Sequence, residues 1–166
     1  MINADFLQDS ELIIQKLMKI PAMRALERRH LQELLEMSDI KAFEPGEQIL
    51  EEGQFDRHIF YLISGKARIV KDGKELAIIR RTGDVFGEMG IIDGSARSAS
   101  VFAVEKTVCL QTDMSSVESL YGDSKLAFRY TIFRGFAQIL ANRLRMTSEE
   151  LLRSREELSR LKQVAP

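Results

Sequence analysis

The residues best suited to chemistry lie between Gly83 and Ala103, where Arg97 follows Glu88 by nine positions. Gly83, Gly87, Gly90 and Gly94 crowd the same stretch, and alternating apolar residues follow it. A backbone that must bend tightly and approach a ligand needs glycine, because a Cβ blocks both positive φ and close contact. A short helical turn after Gly87 would point unpaired N–H groups at an anion. Arg97 adds a permanently charged planar fork matched to phosphate oxygens. Glu88 is repelled by a phosphate, and fits such a site only if it accepts hydrogen bonds from sugar hydroxyls while Arg97 neutralises the anion. The constellation reads as a pocket for a small sugar phosphate. The plainer readings are a surface Glu88–Arg97 ion pair worth about 0–1 kcal/mol, glycines that only turn the chain, and Ser98 as a strand-end hydroxyl.

The chain around it has 166 residues and a net charge of −1. That length supports a core in one domain, and the charge supplies no global field toward nucleic acid or an anionic membrane. Cys109 is the sole cysteine and reads as a small buried hydrophobe in a reducing compartment. No signal peptide and no uncharged apolar run approaching a membrane span is visible, so a cytoplasmic protein is expected. Two histidines, His30 and His58, cannot supply a metal centre. His30 reads as a solvated helix residue beside Arg28 and Arg29, and His58 as an exposed residue before a strand. Without a nucleophile–base pair, nucleotide loop or metal cluster, an enzyme is not expected.

The elements that must position the pocket follow in order. Helical spacing predicts a helix from Ser10 to Ile20, with Leu12, Ile13 and Leu17 apolar and Pro21 ending it. A second, from Ala22 to Met37, places Met23, Leu26, Leu31, Leu34 and Leu35 on one side. From residue 40 to 112 short β-rich runs recur, with turns at Pro45-Gly46, Ser64-Gly65 and Asp72-Gly73. No intervening helix is long enough for parallel crossovers, which points to an antiparallel sandwich, barrel or roll. Asp113 caps a short helix to Tyr121, closed by Gly122, and a long helix runs from about Lys125 to Lys162.

That helix reads in two halves. Leu126, Tyr130, Phe133, Phe136, Ile139 and Leu140 form a face for the roll, with Gly135 a close-packing point or hinge. Ala137, Leu140, Leu144, Thr147, Leu151, Ser154, Leu158 and Leu161 then form a heptad seam, predicting a two-stranded parallel coiled coil. The alternative is a single helix lying back on the domain. A threonine at a seam position is costly without a polar partner. The basic run Lys125, Arg129, Arg134, Arg143 and Arg145 reads as roll contacts, ligand electrostatics and a solvated face rather than a DNA surface.

The Gly87-Glu88 pair and the Arg97-Ser98-Ala99 segment at this spacing resemble the phosphate-binding cassette of cyclic nucleotide-binding domains. Arg143-Leu144-Arg145-Met146-Thr147-Ser148-Glu149 resembles the C-helix of the bacterial catabolite activator (CRP/FNR-like) group within that family. The resemblance spans roughly residues 20–163. It implies an α+β, mainly β fold: a jelly-roll-like antiparallel β-roll with N-terminal helices and a long C-terminal dimer helix. The implied organisation is a helical segment 1–38, the roll with its following short helix 39–122, and the dimerisation helix 123–166, within one domain.

The resemblance also implies roles. Glu88 takes the ribose 2′-hydroxyl, Arg97 the exocyclic phosphate oxygens, and Ser98 with nearby amides assists. Phe86, Gly87, Met89 and Ala99 complete the cassette, and Ile69 lines the base. Thr147 takes the adenine amino group, Ser148 does so from the other subunit, and Arg143 approaches Glu88. The expected ligand is cAMP, with cGMP possible. Members of the group continue into a DNA-reading helix-turn-helix domain, whereas this sequence ends at Pro166, so the expected output is an effector protein reading the helix or dimer surface. The alternative is a dimeric scaffold with a vestigial pocket or a different small effector.

Overall fold

A computed structural model describes residues 11–15, 17–18, 27–119 and 123–164. The expected helix ends at Ser10, Ile20 and Pro21, the apolar positions Met23 and Leu26, and the Tyr121–Gly122 stop lie outside the described residues. Eight strands form two four-stranded sheets. One holds β1 (Ser38–Phe43), β8 (Thr107–Asp113), β3 (His58–Ser64) and β6 (Val85–Phe86) in that order; the other holds β2 (Gln48–Leu50), β7 (Ser100–Ala103), β4 (Ala67–Lys71) and β5 (Lys74–Ile79). Every described strand pairing is antiparallel, as strand spacing predicts, and the two sheets form the roll that the resemblance implies.

Strand β3 shows why the roll has two cores. Its run Ile59-Phe60-Tyr61-Leu62-Ile63 is buried throughout, as a strand covered on both faces must be. Alternation sends Ile59, Tyr61 and Ile63 toward the helices, where they meet Ile14, Leu17, Leu31, Leu34, Ile132 and Phe136. Phe60 and Leu62 face the other sheet and join Phe86, Val101 and Cys109. Burial pushes the Cys109 thiol up to about 12, in keeping with an inert buried hydrophobe. The β4–β5 hairpin closes through Asp72 and Gly73, whose positive φ values of 49° and 73° are those a type I′ turn demands.

Three helical expectations change. The N-terminal helical residues bury Ile13, Ile14 and Leu17 but leave Leu12 55% exposed. In α1 (Arg28–Glu36), His30 is buried, not solvated; at 100° per residue it shares a face with Leu31 and Leu34 despite its charged chain neighbours. After α2 (Glu88–Asp93) and α3 (Met114–Ser119), helix α4 (Asp123–Val164) runs for 42 residues, about 63 Å at 1.5 Å per residue. Its roll-facing stripe is Ile132, Phe136 and Ile139, with Gly135 buried between them. Leu126 and Tyr130 are 78% and 66% exposed and Phe133 also reaches solvent, so these three do not pack on the roll as expected. They fall instead on the 3–4 spacing that continues the heptad seam toward the helix start.

Candidate functional site

The site is built where β6 ends. Phe86 turns its ring into the inter-sheet core and stacks on Phe60 at 5.3 Å, so its backbone, not its side chain, borders the site. Gly87 then takes a left-handed conformation, φ 87° and ψ 0°, and α2 starts at Glu88. A Cβ at position 87 would lie 3.0 Å from Arg97 Nη1 and 3.1 Å from the His58 carbonyl oxygen. Both the turn and the close approach therefore require glycine.

Glu88 points inward and is 1% exposed. Its carboxylate meets Arg143 of α4, Nη1 to Oε1 2.5 Å, and Arg143 Nη2 donates to the Val85 carbonyl. Burial raises the Glu88 pKa, and the nearby charges of Arg143 and Arg97 only partly oppose that. The long helix is thereby tied by one arginine to both β6 and α2, as the resemblance implied for Arg143.

Arg97 is 4% exposed and bound to the roll through both its backbone and its side chain. Its amide donates to the Gln54 carbonyl at 2.8 Å, and its own carbonyl accepts from the Gly53 amide at 2.9 Å. Its Nε donates to Asp56 Oδ2 at 2.8 Å and Nη2 donates to Asp56 Oδ1, a two-pronged carboxylate contact. Nη2 also donates to the His58 carbonyl at 2.5 Å, and Nη1 to the Gly87 carbonyl. A guanidinium has five N–H groups; among the described residues these bonds leave one, on Nη1, for an outside acceptor. The surface Glu88–Arg97 pair does not form: each charge has its own partner, and both are buried.

Asp56 is the functional residue that sequence reasoning missed. Burial pushes its carboxyl up, but the bonds from Arg97 and the His58 amide, with the Arg97 charge, hold it below the ordinary value. His58 is half-buried rather than exposed, its Nδ1 3.3 Å from Asp56 Oδ1. The only local signal was an Asp two residues before a strand, which also describes any Asx turn, and Asp56 Oδ1 does accept the His58 amide at 2.8 Å.

The remaining expected residues divide. Met89 and Ser98 sit together on the rim, Ser98 Oγ 3.7 Å from Met89 Sδ, with Ala99 half-buried beside them. Ile69 of β4 packs half-buried against the inter-sheet core. Thr147 lies one turn beyond Arg143 on the same face of α4. Thr147 and Ser148 are exposed, and no hydrogen bond joins them to the roll among the described residues. Among those residues no group of three His, Cys, Asp or Glu could hold a metal ion, and no helix is long and apolar enough to cross a membrane. The arrangement can offer a sugar hydroxyl a buried carboxylate and an anion a cationic N–H, from side chains flanking one left-handed glycine.

Comparison with known proteins places this geometry. Residues 40–124 match the family described as Cyclic nucleotide-binding domain. The chain is 29% identical to a cGMP-dependent protein kinase of Toxoplasma gondii over 76% of its own length, spanning 12% of that protein. It is 30% identical to a CRP-like cAMP-activated global transcriptional regulator of Mycobacterium tuberculosis over 66% of its length, spanning 48% of the regulator. The catabolite activator protein of Thermus thermophilus superposes with a TM-score of 0.66 at 28% identity, covering 87% of this chain and 72% of that one. The chain thus spans less than half the length of each of these two sequence relatives. It belongs to the cyclic nucleotide-binding domain family and carries similarity to the CRP-like branch.

Proposed function

We propose that this protein is a cAMP sensor that works as a homodimer in the cytoplasm and signals through α4 to a partner protein. One observation carries the reading: Glu88 and Arg97, an acid and a base both buried, flank Gly87 on adjoining segments. Each has a charged partner, yet taking such a pair out of water costs desolvation that the pairing need not repay. In this reading Glu88 accepts the ribose 2′-hydroxyl, and the free Arg97 N–H with Ser98 and the Ala99 amide hold the cyclic phosphate. Met89 and Ile69 border the ligand, and Thr147 with the partner subunit's Ser148 contacts adenine. The segments 1–38, 39–122 and 123–166 act as helical lead-in, sensor and dimer arm.

Support for the dimer comes from α4, where Leu144, Leu151, Leu158 and Leu161 stay more than half exposed in line with Leu126 and Tyr130. An apolar stripe of that length in water calls for a second helix. Relatives named for cAMP and for cGMP both match; the threonine on the seam favours adenine here. Ligand would compete with Arg143 for Glu88 and shift α4 between two arrangements according to its differential affinity for each. Titration calorimetry of the whole chain with cAMP and cGMP tests this. Binding of cAMP ahead of cGMP, with the preference narrowed in Thr147→Ala, is the expected result. Absence of heat and of thermal stabilisation with either nucleotide leaves a dimeric scaffold instead.

A further inference from the structure

The peptide joining Ser98 to Ala99 is held from behind. Lys71, the last residue of β4, donates from Nζ to the Ser98 carbonyl oxygen at 2.9 Å. The ammonium is itself aimed by Glu52, whose Oε1 lies 3.7 Å from Nζ. Glu52 Oε2 accepts the Asp72 amide of the hairpin at 3.2 Å, and the Glu52 amide donates to Ser100 Oγ at 3.0 Å. The β4–β5 hairpin, the turn after β2 and the segment leading into β7 are thus fastened together through Lys71 and Glu52.

In a trans peptide the C=O of one residue and the N–H of the next point in opposite directions, and the chain has no cis bond among its described residues. With the Ser98 oxygen fixed on Lys71, the Ala99 N–H is aimed the other way. Ala99 precedes β7, so that N–H lies outside the strand itself. A cation on the carbonyl also polarises the peptide and makes its N–H a stronger donor.

We propose that Lys71 is a positioning residue for anion binding, orienting and polarising the Ala99 amide as a donor to one exocyclic oxygen of a cyclic phosphate. The proposal rests on the nucleotide-site reading above. Lys71 is half-exposed and outside both cores, so Lys71→Met folds; Lys71→Arg keeps a cation on the carbonyl.

Two measurements decide it. In the ligand-free protein, the Ala99 amide resonance moves in Lys71→Met and stays near its place in Lys71→Arg; an unmoved resonance in Lys71→Met overturns the proposal. This measurement stands even if the wild type binds no cyclic nucleotide, an outcome that would sink only the site reading. With nucleotide, the probes are cAMP and its Sp and Rp phosphorothioates, each with one exocyclic oxygen replaced by sulfur. Lys71→Met weakens cAMP about three- to tenfold, the worth of one hydrogen bond, and changes the Sp-to-Rp affinity ratio because only one oxygen faces that amide. Equal losses for both diastereomers mean a merely structural role and refute the assignment.

Discussion

Removing Arg143 tests the ion pair that ties the long helix to the roll. In Arg143→Leu the Glu88 carboxylate, 1% exposed in the wild type, loses a partner at 2.5 Å, and the Val85 carbonyl loses a donor. Breaking a fully buried pair from one side costs about 3–5 kcal/mol. Because the Arg143 side chain is 39% exposed, solvent already screens part of its charge, and about 2–3 kcal/mol at pH 7 is the reasonable figure. For a chain of this size that lowers Tm by about 4–12 °C.

The pH dependence identifies the cause. Glu88 has a folded pKa above its unfolded one, so its favourable contribution is complete below the ordinary carboxylate range and is lost as pH rises through the folded value. Without Arg143 the folded pKa climbs further. The deficit of the variant therefore opens as pH rises past the wild-type Glu88 pKa, and levels off once the variant's own is passed. Urea unfolding of both proteins between pH 5 and 8 reads it directly. Glu88→Gln in the Arg143→Leu background should recover most of the loss, since an amide needs no counter-charge. A deficit that is flat with pH and untouched by Glu88→Gln would refute the argument, leaving only lost packing of the arginine stem.

Two other outcomes follow from the same geometry. Arg97→Ala should weaken cyclic nucleotide binding by at least about 1.5–3 kcal/mol, and calorimetry finding unchanged affinity would remove the arginine from the phosphate role. Leu151→Lys, on the exposed stripe of α4, should convert a dimer to monomer in analytical ultracentrifugation while far-UV circular dichroism stays that of the folded roll; a persisting dimer would place the interface elsewhere.

Much of the architecture was legible along the chain because its signals are local. Strand spacing with Pro-Gly, Ser-Gly and Asp-Gly turns reports an antiparallel sandwich, barrel or roll, and a type I′ hairpin depends on two adjacent residues alone. The Gly87-Glu88 turn and Arg97 were likewise visible, since left-handed backbone and a phosphate-matched fork are properties of single residue types. The length of α4 and the cap at Asp113, whose Oδ1 accepts the Ser115 amide at 2.9 Å, are also short-range matters.

What the chain alone did not settle was choice among equals. Helix α4 carries two apolar stripes, Ile132-Phe136-Ile139 and Leu126-Tyr130-Phe133, and periodicity of 3.6 describes both equally well. Only the roll's surface selects the first and leaves the second in water. Arg97 had several carboxylates within reach of imagination; the backbone bonds that lay Gly53 and Gln54 beside it deliver Asp56, 41 residues away in sequence. Glu88 went to Arg143, 55 residues distant. Sequence by itself determined which chemical groups and local turns the protein owns, because those are set by each side chain and its immediate neighbours. Tertiary structure decided which charges meet and which faces are buried, because partners far apart along the chain compete until the packed backbone brings one of them within hydrogen-bond distance.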